Sequence, residues 1–217
     1  MKYQAVLFDL DGTLLDTLED LANSVNAALA AHGMPLRTID EVRVFVGNGV
    51  AKLIERAVPR NTAQDEFAAV LADFKAHYAA HCAERTRPYG GIPELLAALR
   101  RAGIKTAMVS NKGDFAVQAL AKDYFGGLLD LAIGERAGVP RKPAPDMVRY
   151  ALSALHADPA TAIYVGDSEV DILTAKNAGL ACISVTWGFR NAEDLRAHGA
   201  ATPVNTVREL QDLLLTP

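Results

Sequence analysis

Apolar and polar positions follow two rhythms along this chain. Residues 3–13 read Tyr-Gln-Ala-Val-Leu-Phe-Asp-Leu-Asp-Gly-Thr, an unbroken apolar run that ends in two aspartates one residue apart. Such a run predicts a central parallel strand covered on both faces, because a half-exposed strand would alternate. From residue 17 to 83 the spacing turns helical throughout. Leu18, Leu21, Ala22, Val25, Ala28 and Leu29 share one face up to His32-Gly33, with Thr17 expected as N-cap and Asp20 placed close to a capping box. Thr38 starts a short helix that Gly47-Asn48-Gly49 breaks, and Val50, Leu53, Ile54 and Ala57 form a third set. A long helix over about residues 63–82 aligns Phe67, Val70, Leu71, Phe74 and Tyr78. No strand signal interrupts this block, which predicts a small helical bundle.

Beyond residue 87 strand-like and helix-like segments alternate. Helices are expected at 92–102, 113–122, 145–155, 170–178 and 207–215, and strands at 104–109, 128–133, 162–165 and 180–185. That alternation specifies an α/β fold with a doubly wound parallel sheet. The first strand belongs to the sheet, so the helical block is an insertion. The expected division is a core of residues 1–15 and 84–217 and an all-helical insertion of residues 16–83.

Composition narrows the function. The chain has 217 residues, half of them hydrophobic, and a net charge of -4. A packed core is therefore expected, and nucleic-acid binding has no electrostatic support. No apolar run reaches the length of a membrane span, and Asp9 and Asp11 interrupt the only apolar stretch near the N-terminus, against a signal peptide. Cys82 and Cys182 have no pairing pattern and read as buried thiols, which together with the above predicts a cytoplasmic protein. The expected partner is a small phosphorylated metabolite, with no nucleic acid and no membrane, and the expected state is a monomer or homodimer.

The chemistry sits at the predicted strand ends. Asp9 is the first polar residue after the opening strand, so its carboxylate emerges at the sheet edge where open α/β sheets bind ligands. Side chains alternate along extended chain, so Asp9 and Asp11 face one way and Leu10 the other. Two converging carboxylates repel, and a divalent cation would make the arrangement tolerable. Asp-x-Asp-Gly also occurs in calcium loops and in ordinary strand exits; here apolar Leu14-Leu15 stand where a calcium loop needs oxygen ligands. This stretch alone leaves a catalytic and a structural turn both open. Two further predicted strands also end in polar groups, at Ser110-Asn111 and at Asp167 with Asp171 beyond, and Lys142 precedes a proline. The set suits phosphoryl transfer. Asp9 and Asp167 could hold Mg2+, Ser110 and the backbone at Asn111 could donate to a phosphate where a helix begins, and Lys142 offers a cation. A carboxylate can act as nucleophile, with Asp11 as the acid and base.

Four segments, Asp9-Leu10-Asp11-Gly12-Thr13-Leu14, Ser110-Asn111-Lys112, Arg141-Lys142-Pro143 and Gly166-Asp167-Ser168-Glu169-Val170-Asp171, resemble in order the motifs of the haloacid dehalogenase-like superfamily, most closely its phosphoglycolate phosphatase branch. The resemblance implies a Rossmann-like core with the helical insertion as a cap. It implies Asp9 as nucleophile and metal ligand, and Asp11 as general acid and base that touches the metal through its backbone carbonyl. Ser110, Asn111 and Thr13 become substrate contacts, Lys142 the neutralising cation, and Asp167 with Asp171 the rest of a Mg2+ site. True dehalogenases of the superfamily lack the second aspartate of the first motif, so Asp11 argues for phosphate-ester chemistry. The implied activity is Mg-dependent hydrolysis of a small phosphate monoester, with 2-phosphoglycolate foremost. A sugar-phosphate phosphatase, a β-phosphoglucomutase-like mutase and a pyrophosphatase are alternatives within the fold, and a receiver-like signalling module is one outside enzymes. His77 and His81 stand four apart like a zinc pair but lack an evident third ligand, and read as packing or surface residues. Trp187 and Phe189 read as core or rim packing. Lys112 is open between reaching phosphate and solvent, Gly47-Asn48-Gly49 between a substrate loop and a turn, and Arg190 is unassigned.

Overall fold

The computed structural model describes residues 2–47 and 49–216. The unbroken apolar run forms β1 (Ala5–Phe8), all four residues of it buried. Two-residue strands, β2 (Leu15–Asp16) and β3 (Arg87–Pro88), flank the inserted helices α1 (Leu18–Ala31), α2 (Ile39–Phe45), α3 (Val50–Ala57) and α4 (Gln64–His81). The chain then alternates through α5 (Ile92–Arg101), β4 (Lys105–Gly113), α6 (Asp114–Phe125), β5 (Leu131–Glu135), α7 (Asp146–Leu155), β6 (Ala162–Gly166), α8 (Glu169–Ala178), β7 (Ala181–Ser184), α9 (Ala192–Ala197) and α10 (Val207–Leu215). The main sheet has five strands in the order β5-β4-β1-β6-β7. Each of its pairings is parallel, with Leu7 of β1 opposite Ala107 of β4 and Tyr164 of β6. This is a doubly wound, Rossmann-like core with an inserted helical cap.

The central position of β1 explains its composition. Val6 and Phe8 pack into one apolar layer with residues of α5, α6 and α10. Ala5 and Leu7 pack into a second layer with residues of α7 and α8. A strand buried on both faces must be apolar at every position, and the first residue it can spare for chemistry is the one past its end.

Chain packing divides the molecule into Met1–Leu15 with Pro88–Pro217, and Asp16–Arg87. The second unit thus runs past residue 83 to Arg87. Asp20 accounts for the extra residues: its buried carboxylate accepts from the Arg85 N–H at 3.0 Å and the Thr86 N–H at 2.8 Å. That contact also corrects the expected capping of α1. Thr17 occupies the N-cap position but makes no capping hydrogen bond, and Asp20, which would supply the other half of a capping box, is turned toward the returning chain. Thr38, by contrast, forms a complete capping box with Glu41. Val70, Phe74 and Tyr78 are the buried face of α4, with Phe67 and Leu71 only half-buried beside it.

The two cysteines are free and half-buried rather than fully buried. His77 pairs with the Ser24 hydroxyl at 3.0 Å and His81 with Glu84 at 2.6 Å, which spends both rings inside the helical unit. In the Gly47-Asn48-Gly49 turn, Asn48 lies outside the described residues. Among the described residues no helix is long and apolar enough to cross a membrane.

Removing the Asp20 carboxylate leaves the buried Thr86 N–H and the part-buried Arg85 N–H without that acceptor. Asp20→Ala is expected to lower unfolding free energy by about 2–3 kcal/mol, read by denaturant titration; a loss below about 0.5 kcal/mol would contradict the assigned role.

Candidate active site

The site lies at the carboxyl ends of β1, β4 and β6. Asp9 follows β1 directly, and its backbone N–H donates to the Val165 carbonyl of β6 at 2.9 Å, so the carboxylate is fixed against the neighbouring strand. The Lys142 Nζ stands 2.7 Å from Asp9 Oδ1 and 2.9 Å from Asp171 Oδ1. Its third neighbour is the Tyr164 hydroxyl at 3.0 Å. Asp9, Asp167 and Asp171 are all buried and each brings one oxygen within 4.8 Å of the others.

Such crowding is visible in the protonation equilibria. Burial, then the charge of Asp171, push Asp9 up to about 7, against the opposing pull of Lys142. Burial together with Asp171 and Asp9 holds Asp167 well above the usual carboxylate range. Lys142 is buried too, which disfavours its charge, yet the carboxylates of Asp171 and Asp9 hold it well above an ordinary lysine. The ammonium therefore stays charged while the acids compete for compensation.

Asp167 is closely wrapped. The Phe189 N–H donates to Oδ2 at 2.7 Å and the Thr13 hydroxyl to Oδ1 at 3.3 Å. Gly12 (φ 86°) and Gly188 close the remaining sides, where a Cβ on either would overlap the Asp167 carboxylate. Trp187 donates its indole N–H to the Thr13 carbonyl at 3.1 Å and so ties this loop to the first motif. Phe189 is thus more than packing: its main chain binds the acid. Gly188 and the Phe189 N–H carry no sequence signal, since backbone donors look alike in any loop.

The remaining predicted residues are placed as follows. Asp11 pairs with Lys112, whose Nζ is 2.8 Å from its Oδ1, and its side chain is not part of the three-carboxylate cluster. Ser110 is buried, and its Oγ accepts the Lys112 N–H at 3.1 Å. The Asn111 side chain clamps the backbone of Lys142, donating to its carbonyl at 2.9 Å and accepting its N–H at 2.8 Å. Ser110 and Asn111 were expected where a helix begins. They lie instead on the irregular end of β4, whose register shifts between Val109 and Gly113, and α6 starts only at Asp114. Thr13 spends its hydroxyl on Asp167. Asp171 has both oxygens engaged, Oδ1 by Lys142 and Oδ2 by the Ser168 N–H and hydroxyl at 3.2 and 2.6 Å. Arg190 pairs with Glu169 at 3.0 Å.

The donor set fits a hard divalent cation. Oxygen ligands alone are offered, as Mg2+ prefers. Asp9 Oδ1 is buried without an aligned hydrogen-bond donor, because the Lys142 ammonium approaches it off the hydrogen-bond direction.

With this geometry established, comparison with known proteins decides the family. The sequence model of the haloacid dehalogenase-like hydrolases matches residues 3–179. The chain belongs to that family. It is 36% identical over 216 residues to an N-acetylmuramic acid 6-phosphate phosphatase of Pseudomonas aeruginosa, covering 99% of this chain and 96% of that one. It is 33% identical over 211 residues to phosphoglycolate phosphatase 1 of the same organism, covering 94% and 77%. Among solved structures, CbbY from Rhodobacter sphaeroides in complex with phosphate superposes with a TM-score of 0.79 at 29% identity, covering 96% of each chain.

The raised Asp9 and Asp167 give a sign for pH and metal dependence. Below about pH 7 the metal-free folded chain takes up protons that the unfolded chain, with carboxyls near 4, does not. These groups therefore add stability as pH falls from about 7 toward 4 and withdraw it as pH rises. A divalent cation held by these acids would replace those protons, so any rise in melting temperature on adding Mg2+ should be larger at about pH 7.5 than at about pH 5.5. An equal or reversed rise would contradict a metal held by these acids.

Proposed function

We propose that the protein is a magnesium-dependent phosphatase that cleaves small phosphate monoesters through an aspartyl phosphate on Asp9. The observation that carries this reading is the convergence of Asp9, Lys142 and Asp167 in one buried cluster at the carboxyl edge of the sheet. An Asp9 oxygen attacks phosphorus as the bond to the ester oxygen breaks. Asp11 delivers a proton to the departing oxygen, then takes one from the water that attacks the phosphoryl group and releases Asp9. Lys112, 2.8 Å from Asp11, holds that carboxylate beside the bulged end of β4. Lys142 offsets charge on Asp9 and on the phosphoryl oxygens. Because the Ser110 oxygen accepts the Lys112 N–H, its own proton is available to the phosphoryl group.

Asp9 and Asp167 would hold Mg2+ with their side chains and Asp11 with its backbone carbonyl. When bound, the ion supplies the positive charge that lets a carboxylate approach a dianionic ester. Asp171 and Asn111 act through Lys142, one on its ammonium and the other on its main chain. Thr13 acts through Asp167. The unit Asp16–Arg87 is read as the cap that selects the leaving group, and the protein as cytoplasmic.

The substrate read first is 2-phosphoglycolate, which several relatives, including one from Pseudomonas aeruginosa, are named for. A second reading, N-acetylmuramic acid 6-phosphate, is favoured by a relative that matches nearly end to end. Both are carboxylic acids that carry one phosphate ester. Relative kcat/KM on the two compounds, beside sugar phosphates and pyrophosphate, decides between them; the acid-bearing esters are expected to lead, and preference for pyrophosphate or isomerisation of a sugar phosphate would sink both.

Asp9→Asn should abolish phosphate release while leaving the melting temperature near that of the parent, because a neutral amide is a poor nucleophile. Turnover close to wild type would refute the role of Asp9.

A further inference from the structure

Tyr164 belongs to none of the four motifs, yet it is the only buried residue of β6 that places a polar atom against the Lys142 ammonium among the described residues. Its ring lies in the apolar layer with Ala5, Leu7, Ala107 and Val109, and it stands directly opposite Leu7 in register. From there the phenol reaches past β1 to β4, where its hydroxyl donates to the Val109 carbonyl at 3.2 Å. A phenol has one proton. That proton has the Val109 carbonyl and, at 3.4 Å, Asp171 Oδ1 as acceptors, and the oxygen accepts from Lys142, which approaches at 3.0 Å. Two protons of the ammonium are then directed at Asp171 and Tyr164, which hold it as an ion-pair partner 2.7 Å from Asp9 Oδ1.

The Val109 carbonyl has a particular place. It lies where the register of β4 shifts, immediately before Ser110. The same hydroxyl therefore grips the lysine and the strand end that carries the phosphate-facing serine. A tyrosine is wasteful as simple filling here, since burying a hydroxyl without partners costs free energy that phenylalanine would not. Its partners, Lys142, the Val109 carbonyl and Asp171, are all parts of the phosphoryl site.

We propose that Tyr164 is a positioning residue of the phosphoryl-transfer reaction, holding the Lys142 ammonium and the end of β4 at a fixed separation. The inference rests on the phosphatase reading above. Loss of the hydroxyl leaves the ammonium one partner short and free to swing off Asp9, and leaves the Val109 carbonyl without its donor. Contacts to the leaving group are untouched, so ground-state binding of the ester changes little; stabilisation of the transferring phosphoryl group weakens.

The test is steady-state kinetics of Tyr164→Phe on the best phosphate ester, with Leu7→Val as a control for packing loss in the same layer. Tyr164→Phe is expected to lower kcat by about tenfold or more with KM within about twofold. Leu7→Val, which removes a methylene group beside the phenol and touches no polar partner, should keep kcat within about twofold. Retention of wild-type kcat in Tyr164→Phe, or an equal fall in both variants, overturns the proposal. Should Tyr164→Phe not fold, 4-aminophenylalanine at position 164 decides. It keeps the bulk and the donor to Val109 but is a poorer acceptor for Lys142, so a lowered kcat supports the role and an unchanged one overturns it. Asp9→Asn is assayed in parallel: if it turns over, the phosphatase reading itself fails and this inference with it. If it is dead, the outcome at Tyr164 stands on its own.

Discussion

Charge compensation in a buried pocket is the constraint on which this structure turns. Asp9, Asp167 and Asp171 meet at the end of a sheet where water cannot solvate them, and one ammonium, Lys142, stands in contact with two of the three. Removing ions from water is costly, and the cost is offset only when geometry and additional hydrogen bonds are good. Much of the surrounding detail answers that demand. Ser168 caps Asp171, Thr13 and the Phe189 N–H hold Asp167, and Asn111 fixes the main chain from which Lys142 projects. What is left uncompensated, chiefly the unaligned oxygen of Asp9, is the part of the site that a cation and a phosphoryl group can use.

The scaffold delivers these groups by placing them just past buried strands. β1 is apolar on both faces because it is central, so its first polar side chain falls at its carboxyl edge. β6 ends likewise in Gly166 and Asp167, and the glycine leaves room for the Asp171 side chain that folds back over it. Helices on both faces keep the strand ends in register, and the loops that carry Lys142 and Phe189 are tied to those ends by hydrogen bonds.

Much of this was readable from residue order. Continuity of the apolar run announced a central strand, helical spacing announced the insertion, and strand ends terminating in Asp9, Ser110 and Asp167 announced a shared edge. Residues whose importance arises only through tertiary contact were not readable. Asp20 looked like part of a helix cap until the chain returned at Arg85 and Thr86 to claim its carboxylate. The Asn111 side chain gave no sign of its partner, the backbone of Lys142, 31 residues away. Tyr164 was one aromatic among the residues of a buried strand, and its hydroxyl acquires meaning only when β4 and the lysine arrive beside it. Helix α9 escaped because its six residues carry too short an apolar repeat, although Asn191 caps it through the Asp194 N–H.

Family membership and geometry bear on different levels of the function. The family supplies the reaction type. The cluster around Asp9 supplies a physical basis for the proposed chemistry: a carboxylate oxygen without an aligned donor, beside a fixed cation and a second acid. The direct measurement is acid quench of the enzyme during turnover, followed by peptide mapping for covalent phosphate. A phosphorylated peptide containing Asp9, formed and consumed at the rate of phosphate release, is the result this account predicts. Phosphate release at full rate with the Asp9 peptide unmodified at every time point would contradict it.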